Sequence, residues 1–257
     1  MDIVLISMTA LFASGLTLFS GFGLGTLLMP IVAIFFPIEV AVAITAIVHL
    51  ANNLFKLALL GRYADWTVVK RFGLPALAAA FIGALVLTWL ADLAPLYRYQ
   101  LGGRDLSISL VKAIVGLLIL GFVFIELFKI FSGVAFSKKY LPLGGLVSGF
   151  FGGLSGHQGA FRSMFLIKAG LSKEAFIATG VTMAVLVDVA RLSIYGWDLR
   201  LEASNVQWPL VFAASLSAFL GAFIGRQLIE KMTIQRIQQA VSCLLVIVAL
   251  GLITGLL

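Results

Sequence analysis

The sequence predicts an all-α integral membrane protein made of two inverted repeats, each a Gly-broken re-entrant hairpin followed by three transmembrane helices. Composition, the lengths of the apolar segments and an internal repeat predict this fold class. Of the 257 residues, 61% are hydrophobic and 11% are charged, whereas soluble domains are typically about one half apolar and about one quarter charged. So little charge cannot cover a water-soluble globule of this size. The composition therefore excludes a soluble enzyme, a secreted disulfide scaffold and a nucleic-acid-binding protein as the primary class.

Six apolar segments are long enough to cross a hydrocarbon core about 30 Å thick. They are 40–60, 72–91, 106–128, 174–195, 206–229 and 237–257. Two further apolar regions, 3–36 and 141–168, are divided by the Gly-rich stretches GFGLG at 21–25 and GHQGA at 156–160. The second arm of each divided region is too short to span the bilayer, because a helix rises only about 1.5 Å per residue.

The two halves of the chain, 1–135 and 136–257, resemble each other at an offset of 135 residues, with small insertions and deletions after Gly61. Within one predicted helix this offset relates Asn53 to Asp188 and Lys56 to Arg191. The same offset relates Ser20-Gly21 to Ser155-Gly156, Met29 to Met164, Ala43 to Ala178 and Gly61 to Gly196. Matches of Gly and Ala arise easily in such a composition, but two polar pairs without a gap do not. We therefore interpret the halves as structural repeats.

The basic loop residues distinguish full crossings from re-entrant hairpins. If each Gly-broken region crosses the membrane once, the loop Lys and Arg residues divide into seven on each side. If each region is a hairpin, eleven lie on one side and only Arg98, Arg104 and Arg200 on the other. Positive residues concentrate in cytoplasmic loops, so the hairpins are favoured. Three crossings then remain in each half, which makes the repeats inverted and predicts both termini outside the cytoplasm. Inverted repeats with broken helices are typical of secondary transporters.

The two Gly-rich breaks predict a substrate site at the hairpin tips. Non-helical backbone at membrane depth is tolerated where it is buried in protein or lines a cavity, and the free N–H groups that open the next helix favour a small anion. The predicted tip residues are Ser20, Gly21, Gly23 and Gly25 in the first half and Ser155, Gly156, Gln158 and Gly159 in the second. The alternative is that glycines only allow close helix packing, and we favour it for Gly145, Gly149, Gly153, Gly221 and Gly225.

Polar side chains beside the second tip extend the candidate site, because such residues are costly inside a membrane. Arg162 is a candidate countercharge for an anion, and its alternative role is to extend to the cytoplasmic interface. His157 could relay a proton or donate to the substrate. The alternative for His157 is a neutral ring bonded to a backbone carbonyl.

Polar residues within the long helices form a second group of candidates. Thr45, His49 and Asn53 lie in segment 40–60 and either line the pathway or bond between helices. Thr179 either lines the path or bonds to its own helix. Asp188 and Arg191 stand three residues apart, which predicts a structural ion pair.

Several of these motifs occur together in one known family. They are GFGLGTLLMP at 21–30, Ala43-Ile44-Thr45, Asp65-Trp66, GLSGHQGAF at 153–161 and Ala178-Thr179-Gly180. In this order, across both halves, the chain resembles the TauE/SafE-type sulfite exporter family along nearly its whole length. The family's Gly triplet is reduced here to Gly23-Leu24-Gly25 in one half and Gln158-Gly159-Ala160 in the other. The resemblance implies transport of sulfite, sulfonates or related small anions across a bacterial inner membrane.

The expected partners are a small anionic substrate and the lipid bilayer, with proton coupling through His157 as an option and with no nucleic acid, cofactor or metal. An inside-negative potential contributes about 2.3 kcal/mol per charge per 100 mV, so an anion leaves the cell without a coupled ion and export is predicted. An anion channel or facilitator is the alternative. An intramembrane serine protease, suggested by Gly153-Leu154-Ser155-Gly156, is disfavoured because such an enzyme needs a separate base within reach of the serine.

Overall fold

The computed structural model describes residues 2–17, 24–127, 136–198, 207–228 and 234–257. Within these residues there are eleven α-helices and one two-stranded β-ribbon. The first half contains α1 (Asp2–Thr17), α2 (Leu24–Ala33), α3 (Ile38–Leu60), α4 (Trp66–Val68), α5 (Leu74–Ala91), β1 (Tyr97–Leu101), β2 (Arg104–Ile108) and α6 (Leu110–Leu127). The second half contains α7 (Leu141–Ser155), α8 (Gly159–Leu166), α9 (Lys173–Asp198), α10 (Trp208–Leu228) and α11 (Ile234–Thr254).

Three helical stretches of the described chain are long and apolar enough to cross a membrane: Val40–Tyr63, Trp66–Ala91 and Lys173–Gly196. They coincide with the predicted crossings 40–60, 72–91 and 174–195. The other three predicted crossings contain shorter apolar stretches, Leu110–Phe124, Trp208–Ile224 and Leu245–Thr254, and their assignment as crossings stays a prediction. An all-α membrane architecture is thus confirmed at the level of the helices.

The predicted helix 106–128 is wrong at its start, because residues 104–108 form a β-strand. β1 and β2 pair antiparallel, with Leu101 opposite Arg104. The two residues between them, Gly102 and Gly103, have φ angles of 59° and 77°, as a tight two-residue hairpin turn requires. The hydroxyl of Tyr99 donates to the carbonyl of Thr254 at 2.6 Å, so the ribbon rests on the end of α11.

Helices from different halves pack against each other in pairs. α3 packs against α9, α6 against α11, α1 against α10 and α5 against α7. A buried apolar core runs between α2, α3, α6, α10 and α11, and a second one lies between α5, α7, α8 and α9. The break after α7 therefore lies among helices of both halves.

The contact between α5 and α7 depends on glycine. A Cβ added to Gly149 would overlap the backbone of Ala76, and one added to Gly153 would overlap that of Ala80. Gly221 of α10 meets the backbone of Leu11 in α1 in the same way. The packing role predicted for these glycines is confirmed, since helix backbones can approach so closely only where side chains are absent.

The short helix α4 begins with an aspartate cap. One carboxylate oxygen of Asp65 accepts hydrogen bonds from the N–H groups of Thr67 at 2.9 Å and Val68 at 3.1 Å. Val69–Gly73 then forms a π-helical segment that leads directly into α5. The cap therefore sets the first turn of the long helix that contains the predicted crossing 72–91.

Replacing Asp65 with alanine is expected to destabilise the protein by about 1 kcal/mol, because two helix N–H groups lose their acceptor. Asp65→Asn is the matched control, since asparagine caps helices about as well as aspartate. Thermal unfolding in detergent measures both variants. Equal destabilisation by the two changes would contradict the capping role.

Candidate functional site

The second Gly-rich break is a tight, buried turn between α7 and α8. Gly156 ends α7 with a φ angle of 79°, and its N–H donates to the carbonyl of Gly152 at 3.0 Å. A Cβ at Gly156 would lie 2.8 Å from Nη1 of Arg191. Glycine is needed here both for its positive φ angle and because a guanidinium from α9 lies against the turn.

The helix that follows the break begins without a side-chain cap. α8 starts at Gly159, and the preceding Gln158 makes no capping hydrogen bond to it. The carbonyl of Gln158 accepts from the hydroxyl of Ser148 at 3.0 Å, which ties the turn to α7. The side-chain Nε2 and Oε1 atoms of Gln158 are both buried without a hydrogen-bond partner among the described residues. The first N–H groups of α8 also lack intrahelical partners, as at every helix start.

His157 is held in a fixed orientation at the tip. Its Nδ1 lies 3.0 Å from the carbonyl oxygen of Ser155 and 3.1 Å from the Ser155 hydroxyl oxygen. Its ring stacks on Phe122 of α6, with centroids 5.0 Å apart and an angle of 8° between the ring planes. The contact with the Ser155 carbonyl is the alternative that the sequence left open for His157, while Nε2 is buried without a partner in the described chain.

The Ser155–His157 contact does not have the arrangement of a serine nucleophile and its base. The Ser155 hydroxyl donates to the carbonyl of Phe151 at 3.2 Å. A carbonyl oxygen can only accept, so the Ser155 carbonyl requires the proton on Nδ1 of His157. That nitrogen then has no lone pair with which to take the serine proton, as a general base must.

A network of buried polar side chains joins α3 to α9. Asp188 accepts from Nη2 and Nε of Arg191 at 2.8 and 3.1 Å, which confirms the predicted ion pair. The other carboxylate oxygen lies 2.6 Å from Nδ1 of His49 and accepts from the amide of Asn53 at 3.3 Å. His49 and Asn53 therefore bond between helices, which was one of the two roles predicted for them. Nη1 of Arg191 has no partner among the described residues and lies beside Gly156.

Gly25, the described residue of the first tip, lies against the second tip. A Cβ at Gly25, in α2, would be 3.5 Å from the carbonyl oxygen of Gly156 and 3.8 Å from Cγ2 of Thr45. The hydroxyl of Thr45 is buried without a hydrogen-bond partner in the described chain. Three further residues predicted for this tip, Ser20, Gly21 and Gly23, lie outside the described residues.

Arg162 and Thr179 lie at the edge of this region. Arg162 is partly exposed, but its Nη1 atom is buried without a hydrogen-bond partner in the described segments. Its Nε lies 3.4 Å from where a Cβ of Gly180 would stand. The hydroxyl of Thr179 instead accepts from the N–H of Asp65 at 2.9 Å, so Thr179 anchors the turn before α4.

Sequence reasoning missed two contributors to the tip. Arg191 was assigned only to its pair with Asp188, and its spacing gives no sign that its guanidinium also reaches Gly156. Phe122 was an ordinary apolar residue of a predicted crossing, yet it packs flat against His157. Both contacts join residues that are distant in the chain. Sequence periodicity could not predict them, because it identifies only neighbours within one helix.

The arrangement presents hydrogen-bond donors and a positive charge at the break. Unpartnered donors come from Arg191, Arg162 and Gln158, while the carboxylate of Asp188 is fully engaged. Among the described residues, no group of three His, Cys, Asp or Glu side chains could hold a metal ion. Such a region is suited chemically to binding a small oxyanion.

Comparison with known proteins supplies one match. The profile of the family described as Sulfite exporter TauE/SafE matches residues 6–252, nearly the whole chain. No curated protein and no solved structure matches the chain. The protein therefore belongs to the TauE/SafE sulfite exporter family and is a multi-pass membrane protein of a transporter family.

Proposed function

We propose that the protein is a secondary transporter that exports a small sulfur-containing anion, such as sulfite, a sulfonate or a sulfoacetate-like compound. The substrate site is at the two broken-helix tips. The observation that carries this proposal is a pair of buried donor atoms without partners in the described chain: Nη1 of Arg191, which lies beside Gly156, and Nε2 of Gln158 in the same turn. A buried polar group without a partner costs about 1–3 kcal/mol, so such groups are expected to have a ligand in the working cycle.

The balance of charge supports an anion as that ligand. Asp188 uses both carboxylate oxygens within the α3–α9 network, where it neutralises Arg191. No carboxylate of the described residues lies within ion-pair distance of Arg162. The buried Lys56 is also close enough to Arg162 for their charges to interact. The basic side chains near the break therefore outnumber Asp188, and a bound anion would offset part of their positive charge.

An inverted-repeat architecture is part of the proposal. The first arm of each hairpin, α1 or α7, packs on the second crossing of the other half, α10 or α5. The first crossings, α3 and α9, pack on each other, and so do the third crossings, α6 and α11. An internal two-fold axis would produce this exchange of equivalent partners. Asn53 and Asp188, which are equivalent under the offset of 135, are themselves hydrogen bonded at 3.3 Å.

The membrane and its potential set the direction of transport. We place the protein in a bacterial inner membrane with both termini on the periplasmic side, because this topology puts most basic loop residues in the cytoplasm. The inside-negative potential then drives a monovalent anion outward without a coupled ion. A protonatable residue at the tip, His157, would be the candidate for proton coupling if the cycle uses it.

Replacing Arg162 with alanine is expected to weaken sulfite binding by about tenfold or more, because a hydrogen bond to a charged group contributes about 1.5–3 kcal/mol. Sulfite efflux from proteoliposomes and its concentration dependence measure the effect. Arg162→Lys should restore part of the affinity. Arg98→Ala, on the exposed face of β1, is the matched control for loss of one positive charge.

Four results would each contradict part of the proposal. Unchanged sulfite binding in Arg162→Ala would show that Arg162 is not the countercharge. Absence of binding or efflux for sulfite, sulfoacetate and taurine would contradict the proposed substrate class. Efflux that does not saturate, together with single-channel conductance, would identify a channel instead of a carrier. Accumulation of the anion against the potential would contradict export.

A further inference from the structure

We propose that His157 makes the site selective for sulfite-type or sulfonate anions that have a hydrogen-bond donor of their own, an O–H or N–H group. This inference rests on the proposed anion site at the tips and specifies its substrate class. It concerns the nitrogen of His157 that the fold leaves free, Nε2.

The neighbours of His157 determine which of its two ring nitrogens carries the proton. Nδ1 lies within hydrogen-bond distance of the Ser155 carbonyl oxygen and of the Ser155 hydroxyl oxygen. The carbonyl can only accept, and the hydroxyl has its own proton directed to the carbonyl of Phe151. Both contacts require Nδ1 to donate, so in the neutral ring Nε2 is an acceptor.

The ring cannot easily turn to exchange the two nitrogens. It is 2% exposed and lies flat against Phe122. Phe122 also packs edge-to-face on Phe151 and Phe161, which stack on each other at 5.1 Å. Aromatic neighbours on α6, α7 and α8 therefore fix the plane of the imidazole. The direction of the Nε2 lone pair is fixed with it.

The charged groups around the break are donors or are already paired. Arg191 of α9 places Nη1 beside Gly156, the residue before His157. Arg162 of α8 has a buried Nη1 without a partner in the described chain, whereas Asp188 and His49 bond to each other. The tip thus combines donors suited to anionic oxygens with one oriented acceptor, which an anion lacking any donor would leave unsatisfied.

An unsatisfied acceptor has a measurable consequence for specificity. Sites built to hydrogen-bond a ligand O–H or N–H discriminate strongly against analogues without it. Gln158 also has a free oxygen, but its amide can rotate to present either end. His157 is therefore the residue that would accept a hydrogen bond from the O–H or N–H group of the substrate.

The test compares two anions of equal charge and similar size, hydroxymethanesulfonate and ethanesulfonate, which differ by a hydroxyl in place of a methyl group. The wild-type protein in proteoliposomes is expected to bind hydroxymethanesulfonate at least about tenfold more tightly, the lower part of the range for an unmade buried hydrogen bond. Binding is measured by competition with sulfite at constant pH. Equal affinity for the two sulfonates would overturn the inference and leave the anion site standing, whereas absence of binding by all three anions would overturn both.

Two variants test the role of Nε2 separately from the shape of the turn. His157→Asn keeps an amide N–H where Nδ1 donates to Ser155, and His157→Phe keeps the ring that stacks on Phe122. Both remove the Nε2 acceptor and are expected to reduce the preference to less than about threefold while ethanesulfonate still binds. A preference retained in either folded variant would overturn the role of His157.

Discussion

Replacing Asp188 with leucine is expected to destabilise the protein by about 3–5 kcal/mol, because removing one member of a buried ion pair leaves an uncompensated charge. Asp188 and Arg191 are both fully buried, and the carboxylate accepts two hydrogen bonds from the guanidinium. The same change removes the partner of His49 across the α3–α9 contact. Chemical unfolding in detergent micelles measures the loss.

The double variant Asp188→Leu/Arg191→Leu is the control for this prediction. The two leucines remove both charges, and replacing a buried ion pair with apolar residues is often neutral or stabilising. We expect the double variant to be more stable than Asp188→Leu alone. If the losses from the two single changes simply add in the double variant, Asp188 and Arg191 do not interact.

Replacing Gly149 with leucine is expected to cost about 3 kcal/mol, the upper part of the range for forcing extra atoms into a packed contact. The first added carbon would already overlap the backbone oxygen of Ala76 in α5. The α5 and α7 helices would have to separate, and α7 would lose its close contact with α5. Thermal unfolding in detergent and the yield of folded protein both measure the effect.

Gly121→Leu is the matched control for Gly149→Leu. Gly121 is also helical, but nothing lies within 4 Å of the position of its Cβ. There leucine should be neutral or stabilise the helix by about 0.5–1 kcal/mol, because glycine is a poor helix former. Similar losses at the two positions would show that the α5–α7 contact adjusts to larger side chains.

The sequence predicts the helices well because their signals are local. Apolar length and the Gly-rich breaks locate α7 and α8 on either side of 156–158. The spacing of Asp188 and Arg191 identifies their ion pair. Each of these features depends on residues within one or two turns of helix, where spacing alone determines which side chains are neighbours.

Other features depend on contacts that no local pattern reports. His49 bonds to Asp188 across 139 residues, and Arg191 reaches the tip at Gly156 from another helix. The β-ribbon is different, because Gly102-Gly103 between two partly alternating segments is a recognisable hairpin signal. Hydropathy assigned residues 106–108 to a helix, since a short apolar run does not by itself distinguish a strand from a helix.

The hydrogen bond between Asn53 and Asp188 has a consequence for the transport cycle. In a perfectly symmetric inverted repeat, the inward-open and outward-open conformations would be images of one another and equal in energy. Here one equivalent position has an amide and the other a carboxylate with its own guanidinium. In the inverted-repeat cycle that we propose, this difference makes the two conformations unequal in energy, so we expect the resting protein to favour one side of the membrane even before any solute gradient acts on it.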